Sequence, residues 1–391
     1  IPLTGRYITS VTSSFVNELN EQTVFDQTSE KFVELGFFKK TISIEDNYLD
    51  YFMVVNRRCL SNEGRHITIK LDKSSTGLKN WKVTDVATNT SYVVLDTGTV
   101  SIDLGPGRGK LFRLEPVMIA GGTLAYNETI PQNTSFQVKG NVIVPSGKTL
   151  TINSGSNLTF IDSSKLTVSG TLIINGTSNN KAKLDFTSGV TWRGLFLNPG
   201  SSATIDYAEI EDAYWGINAN ACSLLIQNSE IKNCYFGIYL YYTSYDYYGT
   251  EIRNCNIHNT IYGIELNHSA PLITNCIISG SENGISCISS SNVHLGNDEE
   301  GGLNIIGDGD LGVYSYASDP YLGIYDEKTE IGGYNSIVGA GYNVEAEMDS
   351  YVYAHLNWWG SSTPDPSEFK EDGGVIDYDY YLDYSPFGES Q

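Results

Sequence analysis

The 391-residue sequence lacks any run of about eighteen apolar residues, the length that a membrane-spanning helix requires. It therefore predicts no insertion into a membrane.

Basic residues are scarce, with 24 Lys and Arg against 46 Asp and Glu, and the formal net charge is −22. Residues 118–391 hold 10 of the basic and 32 of the acidic residues and so carry the whole excess. Such a surface repels nucleic acid and disfavours an acidic glycan as a partner.

Methionine is also rare, with 3 residues, and strong helix formers are few, whereas 39 Gly and 27 Tyr favour turns and strands. The 6 cysteines show no Cys-x-x-Cys metal spacing, and we interpret most of them as small buried residues, with disulfides left open. The chain begins at Ile1 without a signal peptide, as expected for a mature product or an excised fragment.

The first third of the chain predicts an antiparallel β-structure. Residues 1–39 are interpreted as a linker with a short helix at residues 13–20, left over from an upstream region. Residues 40–117 predict a β-sandwich, because short candidate strands alternate with turn signals. These strands are Tyr51–Asn56, His66–Leu71, Trp81–Asp85, Ser91–Leu95, Val100–Leu104 and Gly109–Leu114. Residues 118–134 are predicted to be a second linker.

Four registered copies of one pattern mark the later part of the chain. Each copy has an Ile-rich stretch followed by a Gly-Ile pair, and the glycines are Gly216, Gly237, Gly263 and Gly284, at intervals of 21, 26 and 21 residues. One such coil cannot bury its apolar side alone, whereas stacked coils about 4.8 Å apart satisfy the backbone and form a continuous core. Residues 135–360 therefore predict a parallel β-helix of about ten coils, followed by a cap or tail at residues 361–391.

The repeat also predicts what individual columns do. Asn228, Asn254 and Asn275 share a column, where asparagine tolerates a left-handed backbone and can hydrogen-bond along the stack. The next column, Ser229, Cys255 and Cys276, is small and is expected to point inward. The four repeated glycines are expected at a corner that requires a positive φ.

Two parts of the chain resemble known families. The Asn-Cys-x-Ile and Gly-Ile elements and the late Asn357-Trp358-Trp359-Gly360 resemble the right-handed parallel β-helix repeat, or pectin-lyase-like, family. This resemblance implies an all-β, right-handed coil and an extracellular, carbohydrate-related context. It does not imply any one chemical reaction. Residues 50–58 and 104–114 resemble the accessory β-sandwich that follows the catalytic barrel of many glycoside hydrolases. That resemblance implies a catalytic domain upstream in the same polypeptide.

Aromatic residues form the sharpest candidate site. One column holds Trp215, Phe236 and Tyr262, with Tyr214 and Tyr235 beside it, and the insertion at residues 239–248 holds six tyrosines in ten residues. Rigid aromatic rings stack on the apolar faces of sugars, and a loop that interrupts a solenoid often lies on its working face. The candidate glycan-binding residues are Trp215, Phe236, Tyr239, Tyr241, Tyr242, Tyr245, Tyr247, Tyr248 and Tyr262. The competing interpretation is that the stacked rings only stabilise the coil.

Catalytic and metal signals are weaker. No adjacent aspartates and no His-Gly pair occur, so the polygalacturonase-like pattern is missing. If the chain is an enzyme, Arg193 beside Glu211 and Asp212 is the candidate site, and a solvated salt-bridged face is the competing interpretation. No cofactor is required, but two acidic loops offer oxygen ligands for calcium through Asp298, Glu299, Glu300, Asp308 and Asp310.

The leading hypothesis is therefore a non-catalytic, secreted bacterial module that binds or presents a neutral polysaccharide, as the C-terminal part of a larger carbohydrate-active protein. A polysaccharide lyase or glycoside hydrolase with its site on the flank of the coil is the first alternative. A structural or adhesin stalk is the second.

Overall fold

The computed structural model describes residues 6–8, 16–23, 33–41, 48–57, 60, 65–71, 79–94, 99–124, 127–130, 132–187, 191–296, 301–307, 309–326, 329–339 and 341–387. The N-terminal strands are β1 (Arg6–Ile8), β2 (Val16–Thr23), β3 (Val33–Thr41), β4 (Tyr48–Asn56), β5 (Arg65–Leu71), β6 (Lys79–Asp85), β7 (Thr90–Val94), β8 (Thr99–Leu104) and β9 (Gly109–Thr123). They form antiparallel pairs throughout, in the orders β2–β5–β8 and β1–β3–β4–β9–β6–β7.

The predicted antiparallel part is confirmed, but two of its predicted boundaries are wrong. The expected short helix at residues 13–20 is replaced by β2, which pairs with β5 from Val16 opposite Leu71 to Thr23 opposite Arg65. A neighbouring strand that supplies backbone hydrogen bonds outweighs a short helical pattern. The expected linker at residues 118–134 is also wrong, because β9 continues to Thr123 and pairs in parallel with the first coil.

The remaining strands, in chain order, are β10 (Glu128–Ile130), β11 (Ser135–Val144), β12 (Thr149–Asn153), β13 (Asn157–Phe160), β14 (Lys165–Val168), β15 (Thr171–Asn175), β16 (Ala182–Phe186), β17 (Trp192–Leu197), β18 (Ser202–Asp206), β19 (Ala208–Glu211), β20 (Ala213–Asn220), β21 (Ser223–Gln227), β22 (Glu230–Lys232), β23 (Phe236–Tyr241), β24 (Glu251–Arg253), β25 (Asn256–His258), β26 (Tyr262–Asn267), β27 (Leu272–Thr274), β28 (Ile277–Ser279), β29 (Asn283–Ile288), β30 (His294–Leu295), β31 (Ile305–Gly307), β32 (Leu311–Tyr316), β33 (Tyr321–Asp326), β34 (Thr329–Gly332), β35 (Ser336–Val338), β36 (Tyr342–Glu347), β37 (Tyr351–Ala354), β38 (Phe369–Asp372) and β39 (Val375–Asp377). One helical turn, α1 (Tyr245–Tyr248), and one 3₁₀ turn (Pro366–Glu368) complete the described elements.

Except for β34, which pairs antiparallel with β33, these strands build the predicted parallel solenoid of about ten coils, and the solenoid has three faces. The first face runs through β13, β16, β19, β22, β25, β28, β31 and β35, and the second through β14, β17, β20, β23, β26, β29, β32, β36 and β38. The third runs from β10 and β12 to β37 and β39. The coils continue beyond residue 360, since β38 and β39 pair with β36 and β37 and so belong to a last partial coil.

Apolar side chains from all three faces fill the interior. Inward positions along one column of the third face are Ile152, Ile174, Ile205, Ile226, Ile252 and Ile273, each 0 % exposed. Parallel pairing keeps each of these isoleucines in register with the next. The result is one continuous core cluster along the solenoid.

The corner columns confirm the prediction for asparagine. Asn228, Asn254 and Asn275 have φ values of 52°, 53° and 51°. Asn275 donates a side-chain hydrogen bond to Asn254, and Asn228 donates one to Asp206 at 2.8 Å. The left-handed corner and the hydrogen bonds along the stack therefore both occur.

The adjoining column, Ser229, Cys255 and Cys276, is buried as expected, and it continues into a polar ladder. The Asn304 side chain donates to Asn335 at 2.9 Å, and Asn335 donates to Asn357 at 2.8 Å, with all three side chains buried. Five of the cysteines are buried free thiols: Cys222, Cys234, Cys255, Cys276 and Cys287. Cys59 lies outside the described residues.

The repeated glycines are not at a positive-φ corner, and this prediction was wrong. Gly216, Gly237, Gly263 and Gly284 lie within strands of the second face, and none of them has a positive φ. A Cβ added at any of them would lie 2.4–2.6 Å from the carbonyl oxygen of the next glycine in the column. The close approach of successive coils is therefore what requires glycine here.

Candidate functional site

A ladder of stacked aromatic rings lies on the outer side of the second face. Register places Trp215, Phe236 and Tyr262 at paired positions of β20, β23 and β26. The Trp215 and Phe236 rings are 4.1 Å apart at 8°, and the Phe236 and Tyr262 rings are 4.9 Å apart at 12°. The predicted aromatic column is therefore a parallel stack along the solenoid axis.

A pair of tyrosines borders the ladder on one side. Tyr214 and Tyr235 stack on each other at 4.9 Å and 4°, and they are 43 % and 42 % exposed. Tyr214 meets Trp215 edge-on at 68°, and Tyr235 meets Phe236 at 60°. Edge-to-face contact of this kind is a favourable aromatic geometry and fixes the ring orientations.

Two further tyrosines of β23 point outward on the other side of the ladder. Tyr239 meets the Trp215 ring at 62° and the Phe236 ring at 67°, and Tyr241 meets Tyr242 at 70°. Burial and the charge of Glu265 raise the pKa of Tyr239, while a hydrogen bond from Asn267 acts in the opposite direction. The pKa of Tyr241 is raised as well, by burial and by Tyr242, so both phenols are neutral hydrogen-bonding groups at physiological pH.

The insertion within residues 239–248, which lengthens one interval of the repeat from 21 to 26 residues, lies at the adjacent corner. Tyr242, with a φ of 52°, stacks on His268 of the next coil at 4.6 Å, and Tyr247 in α1 is 80 % exposed and packs edge-on against Tyr248. The side chain of Tyr245 lies outside the described part of the chain. The outward rings of the β23 coil, Tyr235, Phe236, Tyr239, Tyr241 and Tyr242, thus form a strip across the second face, which we call the aromatic belt.

Polar side chains that were not among the predicted site residues border the aromatic belt on both neighbouring coils. Register places Asn218 and Glu265 on either side of Tyr239, and Asn220 and Asn267 on either side of Tyr241. Glu265 has no ion-pair or hydrogen-bond partner among the described residues, and burial raises its pKa. The repeat does carry a signal for these positions, because they lie two and four residues after each repeated glycine.

The candidate catalytic residues lie on adjoining coils, but each makes different contacts. Glu211 forms ion pairs with Lys183 and Lys232 on the first face. Asp212 occupies a corner with a φ of 58°, and its backbone N–H donates to the Lys232 carbonyl. Arg193 is exposed and makes no ion pair with a carboxylate in the described ranges. The arginine–carboxylate site remains a prediction.

The calcium prediction falls mostly outside the described residues. Asp298, Glu299, Glu300 and Asp308 are not described. Asp310 is exposed, and its backbone carbonyl accepts from the N–H groups of Gly341 and Tyr342. Within the described ranges, no group of three or more His, Cys, Asp or Glu side chains is placed to hold a metal ion.

Comparison with known families agrees with this geometry. Residues 120–299 match the family model described as a right-handed β-helix region. The solenoid is a right-handed β-helix. Searches of curated proteins and of solved structures gave no match to the chain. In the described part of the right-handed β-helix and the N-terminal strands, no helix is long and apolar enough to cross a membrane.

Proposed function

We propose that the chain is a non-catalytic, secreted bacterial module that binds or presents a neutral polysaccharide, as the C-terminal part of a larger carbohydrate-active protein. The aromatic belt is the observation that carries this proposal. Sugar rings have apolar C–H faces that stack on aromatic rings, and hydroxyls that hydrogen-bond to amides and carboxylates at the edges. The aromatic belt and the polar side chains beside it supply both kinds of contact on one surface.

The charge of the protein supports a neutral glycan in preference to a polyanion. The net charge is −22, and the excess lies in residues 118–391, which include the whole right-handed β-helix. Glu265 adds a carboxylate next to the aromatic belt that no described cation neutralises. An acidic polysaccharide would be repelled by both, and this repulsion would be strongest at low ionic strength.

Affinity electrophoresis tests the proposal. Native gels containing mixed-linkage β-glucan, xylan, glucomannan or hydroxyethyl cellulose should retard the wild-type protein on at least one glycan. Tyr239→Ala should weaken that retardation about three- to tenfold, because one aromatic contact contributes about 0.5–1.5 kcal/mol. Tyr353→Ala removes a ring that stacks on Tyr321 on the third face, away from the aromatic belt, and should behave as the wild type. Retardation on none of the four glycans would contradict the proposal.

A further inference from the structure

The ladder rings are poorly placed to bind a glycan that runs along the solenoid axis. Trp215, Phe236 and Tyr262 stack in parallel at 4.1 and 4.9 Å, so the rings cover one another's faces. A chain lying along this column would meet mainly ring edges. Because sugars stack on aromatic faces, a glycan lying along the axis would make little contact with the faces of these rings.

The direction across the coils offers faces instead. Tyr239 and Tyr241 make only inclined ring contacts, at 62° to 87°, and have no parallel stacking partner in the described part of the chain. They are two residues apart on one strand, so both side chains project from the same face of the sheet. No parallel ring covers their faces and both side chains are only half-buried, so they can meet successive units of a chain that follows β23.

The polar neighbours lie where the hydroxyls of such a chain would project. Side chains at paired positions of adjacent parallel strands are about 4.8 Å apart. Asn218 and Asn220 therefore line one side of Tyr239 and Tyr241, and Glu265 and Asn267 line the other. Asn267 is already held in place by a 2.6 Å hydrogen bond between its Oδ1 and His268 Nδ1.

We infer that a linear neutral glycan lies across the right-handed β-helix, following β23, with its sugar faces on Tyr239 and Tyr241 of the aromatic belt and its hydroxyls between the side chains of β20 and β26. The inference rests on the proposed function. The extended part of the aromatic belt, from Phe236 to Tyr241, spans about 17 Å at about 3.3 Å per residue, which is the length of a short oligosaccharide.

Substitutions in and beside the aromatic belt, compared with one farther along the solenoid axis, distinguish this orientation from an axial one. Using the glycan that retards the wild type most, Tyr241→Ala and Glu265→Gln are each expected to weaken retardation at least threefold, and Tyr241→Phe to preserve it. Tyr342→Ala is the axial control, because Tyr342 lies three coils beyond Tyr262 in the same column and is 37 % exposed.

The outcomes separate the orientation from the function. Wild-type binding with Tyr342→Ala as damaging as Tyr241→Ala would overturn the transverse orientation while leaving glycan binding in place. Wild-type binding that neither Tyr241→Ala nor Glu265→Gln changes would also overturn it. Failure of the wild type to bind any of the four glycans would overturn the proposed function together with the inference. Circular dichroism on each variant establishes that a loss of retardation is not a loss of folding.

Discussion

The glycine column of the second face sets the tightest packing requirement in the solenoid. A Cβ on Gly263 would lie 2.5 Å from the Gly284 carbonyl oxygen and 2.7 Å from Cγ2 of Ile278. Gly263→Ala must therefore push two coils apart, and we expect it to lower the free energy of unfolding by about 1–3 kcal/mol. Urea unfolding followed by circular dichroism measures the change. Gly105→Ala is the control, since its Cβ would meet only an ordinary 3.5 Å contact; equal destabilisation by both would contradict the packing argument.

At the residue scale, the sequence predicted asparagine better than glycine. An asparagine column has few explanations other than a left-handed corner, and φ values near 52° at Asn228, Asn254 and Asn275 confirm it. A glycine column has two explanations, a positive φ or a close approach between the backbones of successive coils, and the repeat alone does not distinguish them. Only the distance between one coil and the next, seen at Gly216 and Gly237, decides for close approach.

A network of ion pairs crosses the coils of the first face from β16 to β25 and makes stability depend on pH. Burial alone would raise the pKa of Glu230, but hydrogen bonds from His258 and Lys181, with the charges of Lys181 and Lys232, lower it to about 2. A carboxyl whose pKa falls on folding stabilises the fold above its ordinary pKa of 4.5 and loses that contribution as pH falls toward 2. Glu230→Gln should therefore cost about 1–2 kcal/mol at pH 6 and much less at pH 2.5.

Thermal melts of both proteins between pH 2.5 and pH 7 measure this difference. Glu282→Gln is the matched control, because Glu282 is exposed and the substitution is chemically identical. We expect Glu282→Gln to follow the wild-type pH profile. A Glu230→Gln deficit that is the same at pH 2.5 and pH 6 would show that Glu230 acts through packing and not through its charge.

At the scale of elements, alternation and turn signals located the N-terminal strands, and β4 to β8 lie within a few residues of their predicted bounds. The prediction failed where a partner strand decides the conformation. Local pattern favoured a helix at residues 13–20, but β5 pairs with this segment as β2. The end of β9 is likewise defined by its parallel pairing with β11. No local sequence pattern indicates that pairing.

At the scale of the whole molecule, the repeat predicted the coil number, since stacking follows from coil length. It placed Trp215, Phe236 and Tyr262 in one column for the same reason. The tilt of Tyr239 and the lack of a partner for Glu265 depend on how outward side chains pack around their neighbours. Periodicity locates the polar positions beside the aromatic belt but contains no information about that packing, so only the structure shows that Glu265 is left without a partner among the described residues.

The C-terminal segment closes the open end of the right-handed β-helix and should control its association. Its strands β38 and β39 pair with the last full coil, Phe369 stacks on Tyr378 at 4.0 Å, and Asp377 accepts hydrogen bonds from His355 at 2.7 Å and Tyr351 at 3.1 Å. Removing residues 361–391 would leave strand edges unpaired and apolar side chains such as Val344 uncovered. Terminal coils of solenoids without a cap pair edge to edge with other copies.

We therefore expect a chain truncated after residue 360 to melt at a lower temperature, by about 2–4 °C for each kcal/mol of stability lost, and to form larger species. Thermal circular dichroism and size-exclusion chromatography with light scattering measure both effects. Tyr384→Ser, at a side chain that is 59 % exposed, changes the same segment without disturbing the pairing and should match the wild type. If the truncated chain kept the wild-type melting temperature and elution volume, β38 and β39 would not be acting as a cap.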